Sequence, residues 1–245
     1  MVHPSRMGVT INRDFLLTVF RGARRPAAVC WKAVFVWLGM PEANNHMTTM
    51  RIITWNIRGA RKSKSRAYLQ RLVREYNVKV VVLLEIKMQS FSRRDANWIL
   101  GKDWNFGLHP SLGMSAGNIV LWKEEIKLAL TAVSAFMVAC SITHWQDCTI
   151  NCCFVYGPRV PQGRRAIWDA IRTTYCDNSP LLVAGDFNLI MGQEEKRGGR
   201  PFFYGSEQQC FADFMQDLQL ADMGFSGNQF TWCNGKKGER ACRAA

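Results

Sequence analysis

Apolar residues fall in short unbroken runs and in helical stripes by turns. Residues 51–55 read as a strand, and over 64–76 Leu69, Leu72, Val73 and Tyr76 recur at the i, i+3, i+4, i+7 spacing of one buried helix face. Residues 78–84 (VKVVVLL) are a β-branched run of the kind a fully buried strand shows. Strand patterns follow at 117–122, 126–131, 133–143 and 149–156, and such close succession predicts antiparallel pairing. Residues 164–175 make a second amphipathic helix with Ile167, Trp168, Ile171 and Tyr175 inward, and 180–184 make another buried strand. Over 206–218, Ser206 and Gln209 form a capping-box pattern, with Phe211, Phe214, Met215 and Leu218 as the core face. Residues 229–233 read as a last strand after a turn at 224–228. Interleaved strands and helices predict an α/β fold with a mixed sheet system and helices outside.

The first 49 residues differ from the rest. They hold six Lys or Arg against two acids and leave +9 of the total net charge of +13 on residues 50–245. Residues 41–49 read as a linker, so 1–49 are expected to be a basic leader ahead of a domain that begins near Met50. No stretch reaches the ~18 apolar residues that a membrane helix needs, and Lys32 interrupts the apolar segment 27–40. Neither a membrane partner nor a secretory signal is expected. The nine cysteines are scattered without a CxxC pair. His144, Cys148 and Cys152 recur at four-residue intervals, but on a strand such positions lie roughly 13 Å apart, too far for a shared zinc ion. Reduced thiols in the cytoplasm or nucleus are the expectation.

Candidate chemistry sits at the strand ends. Asn56, Glu85 and Asp186 each follow an apolar run, so each should emerge at the sheet rim where ligands bind in α/β proteins. A carboxylate directly after VVVLL must reach solvent or be paired. A metal ion would satisfy Glu85, and Lys87 is the rival partner. Glu85 with the Asn56 amide oxygen makes the sparse oxygen site that Mg²⁺ (or Mn²⁺) takes. Asp186 could then position or deprotonate a water for attack on phosphorus, with the Asn188 amide on a phosphate oxygen. The Tyr156 hydroxyl could donate to the phosphoryl group. Taken singly, Asp186 could make an Asx turn, Asn56 could cap a loop, and Tyr156 could be a rim tyrosine bonded to water.

The ordered set WNIRG, LLEIK, GNIVLW, VYGP, GDFN, EKRGGR and FTW resembles the endonuclease/exonuclease/phosphatase (DNase I-like) superfamily over residues 50 to about 240. Its wording is most similar to endonuclease domains of plant LINE-type non-LTR retrotransposons. The resemblance implies a two-sheet β-sandwich flanked by helices and a hydrolase that nicks DNA. It also implies metal and phosphate contacts at Asn56 and Glu85, a transition-state tyrosine at Tyr156, a water- and phosphate-orienting pair at Asp186 and Asn188, and Thr231 near the DNA groove. Two departures stand out. Glu85-Ile86-Lys87 replaces the usual Glu-Thr-Lys, and the Asp strand and Ser-Asp-His motif that close the family's site are missing. All four histidines, His3, His46, His109 and His144, precede GDFN. The expectation is therefore a domain without its last strands and with impaired or no activity.

The basic surplus suits a polyanion. Arg58, Arg61, Lys62, Lys64 and Arg66 cluster after the Asn56 strand, and Lys196, Arg197 and Arg200 flank Gly198-Gly199 after Asp186. DNA is the expected partner and RNA the alternative; no protein partner is inferred. The rival readings are a phosphatase or exonuclease of the same superfamily, acting on RNA ends or phosphoinositides, and a non-catalytic nucleic-acid-binding remnant.

Overall fold

The computed structural model describes residues 8–13, 32–41, 47–111, 117–144, 148–177, 179–222, 226–227, 230, 232–233 and 242–244, with the backbone alone before Met50. In chain order the elements are β1 (Gly8–Arg13), β2 (Lys32–Pro41), β3 (Met47–Asn56), α1 (Ser63–Glu75), β4 (Val80–Leu84), α2 (Arg93–Leu100), β5 (Trp104–His109), β6 (Asn118–Lys123) and β7 (Lys127–Val133). Then come β8 (Met137–His144), β9 (Cys148–Tyr156), α3 (Pro161–Thr174), β10 (Leu181–Asp186), a 3₁₀ turn (Gln193–Glu195), β11 (Lys196–Gly198), α4 (Ser206–Asp217), β12 (Ser226–Gly227), β13 (Trp232–Cys233) and β14 (Cys242–Ala244). They form a seven-stranded sheet, β12-β1-β2-β3-β4-β6-β5, a four-stranded sheet, β10-β9-β8-β7, and a small sheet, β11-β14-β13.

The strand period of two decides the layers. Along β3, β4 and β6, Met50, Ile52, Val80, Val82, Leu84 and Val120 face the second sheet, meeting Cys140, Ile142, Cys152, Phe154 and Ala184. Their neighbours Ile53, Trp55, Val81, Leu83, Ile119 and Leu121 face outward and pack on Leu69 and Leu72 of α1 and Ile99 of α2. Cys153 and Val155 on the far face of β9 pack against Ile167, Trp168 and Ile171 of α3 and Phe211 and Phe214 of α4. The result is a helix–sheet–sheet–helix stack whose central strands are buried on both faces, which is why they read as unbroken apolar runs.

The order of elements follows the sequence pattern, with the close-set pairs β7–β8 and β8–β9 antiparallel and β3–β4 parallel. But β6 and β7, equally close in sequence, do not pair: the chain crosses between them from one sheet to the other. Three local expectations are corrected. Residues 41–49 are not a linker throughout, because Pro41 ends β2, which pairs along its whole length with a β3 that opens at Met47. The cap of α4 is one residue earlier, at Gly205, whose N–H donates to Gln208 Oε1 at 3.0 Å. Ser206 is thereby inside the helix, where its hydroxyl accepts from Arg165 at 3.3 Å. Helix α2 and strand β5 are additional elements: α2 starts at Ser92 in a capping box with Asp95, a signal present in the sequence, but only its second turn is apolar. The region 229–233 is described only at Phe230 and in β13, and Thr231 lies outside the described residues.

Candidate active site

Four strand ends meet at one rim. β3 and β4 run parallel and their following loops continue to pair, with Ile57 N–H donating to Leu84 O and Gly59 N–H to Glu85 O. β9 and β10 are likewise parallel, pairing Tyr156 with Asp186 in register. Parallel alignment puts Asn56, Glu85, Tyr156 and Asp186 at the same end of the two stacked sheets.

The side chains then connect across the sandwich. Asn56, 3% exposed, donates from Nδ2 to Asp186 Oδ2 at 3.0 Å, linking residues 130 apart in sequence. A carboxylate can only accept, so the amide turns its NH₂ toward Asp186 and its oxygen away. That Oδ1 is buried and receives no hydrogen bond from the protein. Asp186, equally buried, accepts on Oδ1 from the Asn188 backbone N–H at 3.2 Å. The Asx turn and the long-range contact therefore coexist, one on each carboxylate oxygen. The Asn188 amide donates to Gly157 O at 2.7 Å, tying the Asp186 turn to the Tyr156 turn. The Tyr156 hydroxyl donates to Glu85 Oε1. No ion pair among the described residues joins Glu85 to Lys87.

The backbone carries the strain of this arrangement. Glu85 (φ +53°) and Asn188 (φ +49°) lie in the left-handed region, which suits asparagine and disfavours glutamate. Two glycines permit the close approach of β9 and β10. A Cβ on Gly157 would lie 2.1 Å from Phe187 O, and one on Gly185 (φ +142°) 2.1 Å from Val155 O. Beneath, Phe187 packs on Trp168 and Phe211 with centroids 5.8 and 5.4 Å apart, so the residue after Asp186 is anchored in the α3–α4 core.

Electrostatically the centre is negative. The Tyr156 phenol is pushed well above its ordinary range, first by burial, then by its bond to Glu85 and the charges of Glu85 and Asp186, with Arg159 opposing. It stays a proton donor at any workable pH. Two carboxylates, a buried amide oxygen without a donor and a phenol fit a hard divalent cation such as Mg²⁺, which accepts one or two carboxylates and fills its shell with waters and substrate oxygens. Among the described residues no three His, Cys, Asp or Glu side chains gather into one group.

The sequence profile of the Endonuclease/Exonuclease/phosphatase family matches residues 53–240. The chain belongs to this family. No curated protein matches it in sequence. Among solved structures it is similar to AP endonuclease LMAP from Leishmania major (TM-score 0.57, 16% identity), covering 69% of this chain and 66%, just under two thirds, of that one. It is also similar to an AP endonuclease from Archaeoglobus fulgidus (TM-score 0.53, 14% identity), over 68% of this chain and 70% of that one. At such identities the likeness concerns the fold, a mixed α/β architecture with two sheets flanked by helices. The family is one of typically divalent-metal-dependent nucleases and phosphatases.

In this family member the basic residues divide. Arg58 (φ +48°) lies in the loop that pairs with the Glu85 backbone, beside the centre. Arg61 and Lys62 are exposed, but Arg61 lies near Asp95 of α2, and the Arg66 guanidinium sits 3.8 Å over the Trp98 ring. Lys196 turns its ammonium to Arg200 O and shapes the glycine loop, while Arg197 and Arg200 are exposed.

Two residues that sequence pattern alone misses are Arg159 and Arg164. Arg159 is exposed, close enough to influence the Tyr156 hydroxyl, and flagged only by standing directly after VYGP. Arg164, 6% exposed, donates to Pro158 O (2.7 Å) and Arg159 O (3.0 Å) and pairs with Glu207 of α4, locking the turn after Tyr156. The groove of about 620 Å³ between α3 and α4, lined by Arg165, Arg172, Cys210 and Asp217 among others, shares no residue with the centre and offers no comparable convergence.

Proposed function

We propose that the chain is a Mg²⁺-dependent phosphodiesterase acting on DNA, of the retroelement endonuclease type. The observation that carries this reading is the buried 3.0 Å contact between Asn56 and Asp186, which unites two strand-end signatures and leaves the amide oxygen free. Asn56 Oδ1 and Glu85 would hold the cation, which when bound supplies Lewis-acid polarisation of a phosphoryl oxygen. Asp186 accepts a proton from the attacking water, its carboxylate fixed by Asn56 and Asn188 N–H. Tyr156 donates its hydroxyl hydrogen to the phosphoryl oxygens as charge builds there. The second N–H of Asn188, beyond the one used on Gly157, is available to the same oxygens.

DNA is favoured over a small phosphate ester by the net charge of +13 and by exposed Arg159, Arg197 and Arg200 around strand-end loops. The two similar structures are of AP endonucleases, a likeness that supports a DNA substrate. The hydrolytic unit is taken as residues 50–245 with 1–49 as a basic leader whose β1 and β2 extend the sheet of β3, itself crossing that boundary. A nuclear or cytoplasmic site of action accords with the unpaired Cys140, Cys152 and Cys153. Among the described residues no helix is long and apolar enough to cross a membrane.

Supercoiled-plasmid nicking with Mg²⁺, against EDTA and Asp186→Ala, tests the reading. Nicking lost in both controls supports it. Salt-sensitive DNA binding without nicking favours the non-catalytic reading, and hydrolysis confined to phosphomonoesters favours the phosphatase reading.

A further inference from the structure

Phe136 stands in the turn between β7 and β8, 41% exposed, with its ring stacked on Tyr156 at a centroid distance of 6.4 Å and an interplanar angle of 17°. An exposed aromatic on a loose turn would carry little meaning, but this turn is fixed. Ser134 Oγ accepts from Phe136 N–H (3.3 Å) and Met137 N–H (3.0 Å), and Ser134 N–H donates to Met137 O at 2.8 Å. The fully buried Asn118 donates to Ser134 O at 2.8 Å, and Tyr156 N–H donates to Phe136 O at 2.8 Å. Every one of these bonds uses the Phe136 backbone or its neighbours; none uses the ring. The backbone that carries the ring is fixed, and the ring lies against that of Tyr156 with part of its surface uncovered.

We propose that Phe136 is a substrate-binding residue whose open surface stacks on the nucleobase adjoining the phosphodiester to be cut. The proposal rests on the phosphodiesterase reading above. A phosphodiester has two substituents, and with its phosphate at Glu85, Tyr156 and Asp186 a substituent directed past Tyr156 would meet the Phe136 ring stacked on it. Arg159 supplies positive charge near the same hydroxyl, so the surroundings of Tyr156 present a cation for phosphate and a flat apolar ring for a base. Stacking of this kind accepts any base, since each has a π face. It therefore gives affinity and alignment without sequence preference.

The test compares thymidine 5′-(4-nitrophenyl phosphate) with methyl 4-nitrophenyl phosphate, which share a leaving group and differ only in the nucleoside. It is joined by photocross-linking to a DNA duplex carrying 5-iododeoxyuridine, which needs no turnover. Phe136→Ala is expected to lower kcat/KM on the thymidine ester at least about fivefold, the low end of a base–aromatic stack. It should leave the methyl ester unchanged, remove the cross-link at position 136 and keep the turn, while Phe136→Trp restores the preference. Equal loss on both esters, or a cross-link that survives in Phe136→Ala, would overturn the proposal. A wild type that hydrolyses neither ester and binds no DNA would instead sink the phosphodiesterase reading itself. A wild type that binds DNA without hydrolysis leaves the decision to the cross-link at Phe136.

Discussion

Replacing Asn56 with alanine should separate the metal-binding role of its amide from a purely structural one. In the metal-free protein two effects oppose. Deleting the Nδ2–Asp186 bond at 3.0 Å removes a hydrogen bond to a charged acceptor, about 1.5–3 kcal/mol. The same change removes the buried Oδ1 that has no protein donor, which returns about 1–3 kcal/mol of desolvation. The two nearly cancel, so Asn56→Ala should unfold within about 1.5 kcal/mol of wild type in EDTA. Magnesium breaks the symmetry. At a cation concentration roughly ten times the dissociation constant, binding to the native state alone adds about 1.4 kcal/mol. For a chain of this size that raises the melting temperature by roughly 3–6 °C. Wild type should show that rise and Asn56→Ala should not. Urea unfolding of both proteins in EDTA and in Mg²⁺ gives all four values. An equal Mg²⁺ gain in both proteins would refute the assignment of Oδ1 to the cation. A loss above about 3 kcal/mol in EDTA would show that the orphan oxygen costs far less than assumed.

Gly157→Ala should destabilise the fold by about 2 kcal/mol or more and abolish any nicking, because its methyl would meet Phe187 O at 2.1 Å; wild-type midpoints in urea would contradict this. Trp168→Ala, which empties the contact with Phe187, Phe211 and Phe214, should cost about 3–5 kcal/mol, measured by the same unfolding. Arg164→Met leaves Glu207 unpaired and two carbonyls without a donor; a loss of about 3 kcal/mol is expected, and Arg164→Lys should recover little since one ammonium cannot replace the fork. On the alkaline side, burial pushes Cys153 from 9.0 and Tyr68 from 10.0 each up to about 12. The folded state thus holds protons that the unfolded chain releases, so stability should be level to about pH 9 and fall above it. Denaturation midpoints that stay constant to pH 11, or phenolate absorbance that titrates wholly near pH 10, would count against that.

Much of this protein is legible in one dimension. The runs at 51–55, 78–84 and 180–184 and the stripes of α1, α3 and α4 follow from periodicity, since a strand buried on both faces leaves no polar alternative. Helix α2 is harder, because its eight residues carry too few apolar positions to repeat; only the Ser92–Asp95 capping box announces it. The strand-end motifs likewise mark Asn56, Glu85, Tyr156 and Asp186 as polar groups that must be satisfied, without saying by what. Sequence left Asp186 between an Asx turn and an active-site role, and Asn56 between a loop cap and a ligand. Folding adds their proximity, because the parallel pairings β3–β4 and β9–β10 bring distant segments to one rim. There Asp186 divides its two oxygens between its own turn and Asn56, a residue 130 positions away. The roles of Arg164, Phe136 and Arg159 also belong to tertiary structure. A buried guanidinium, an exposed ring and a solvent-facing charge look alike in sequence until packing between elements sets Arg164 against Glu207 and Phe136 against Tyr156.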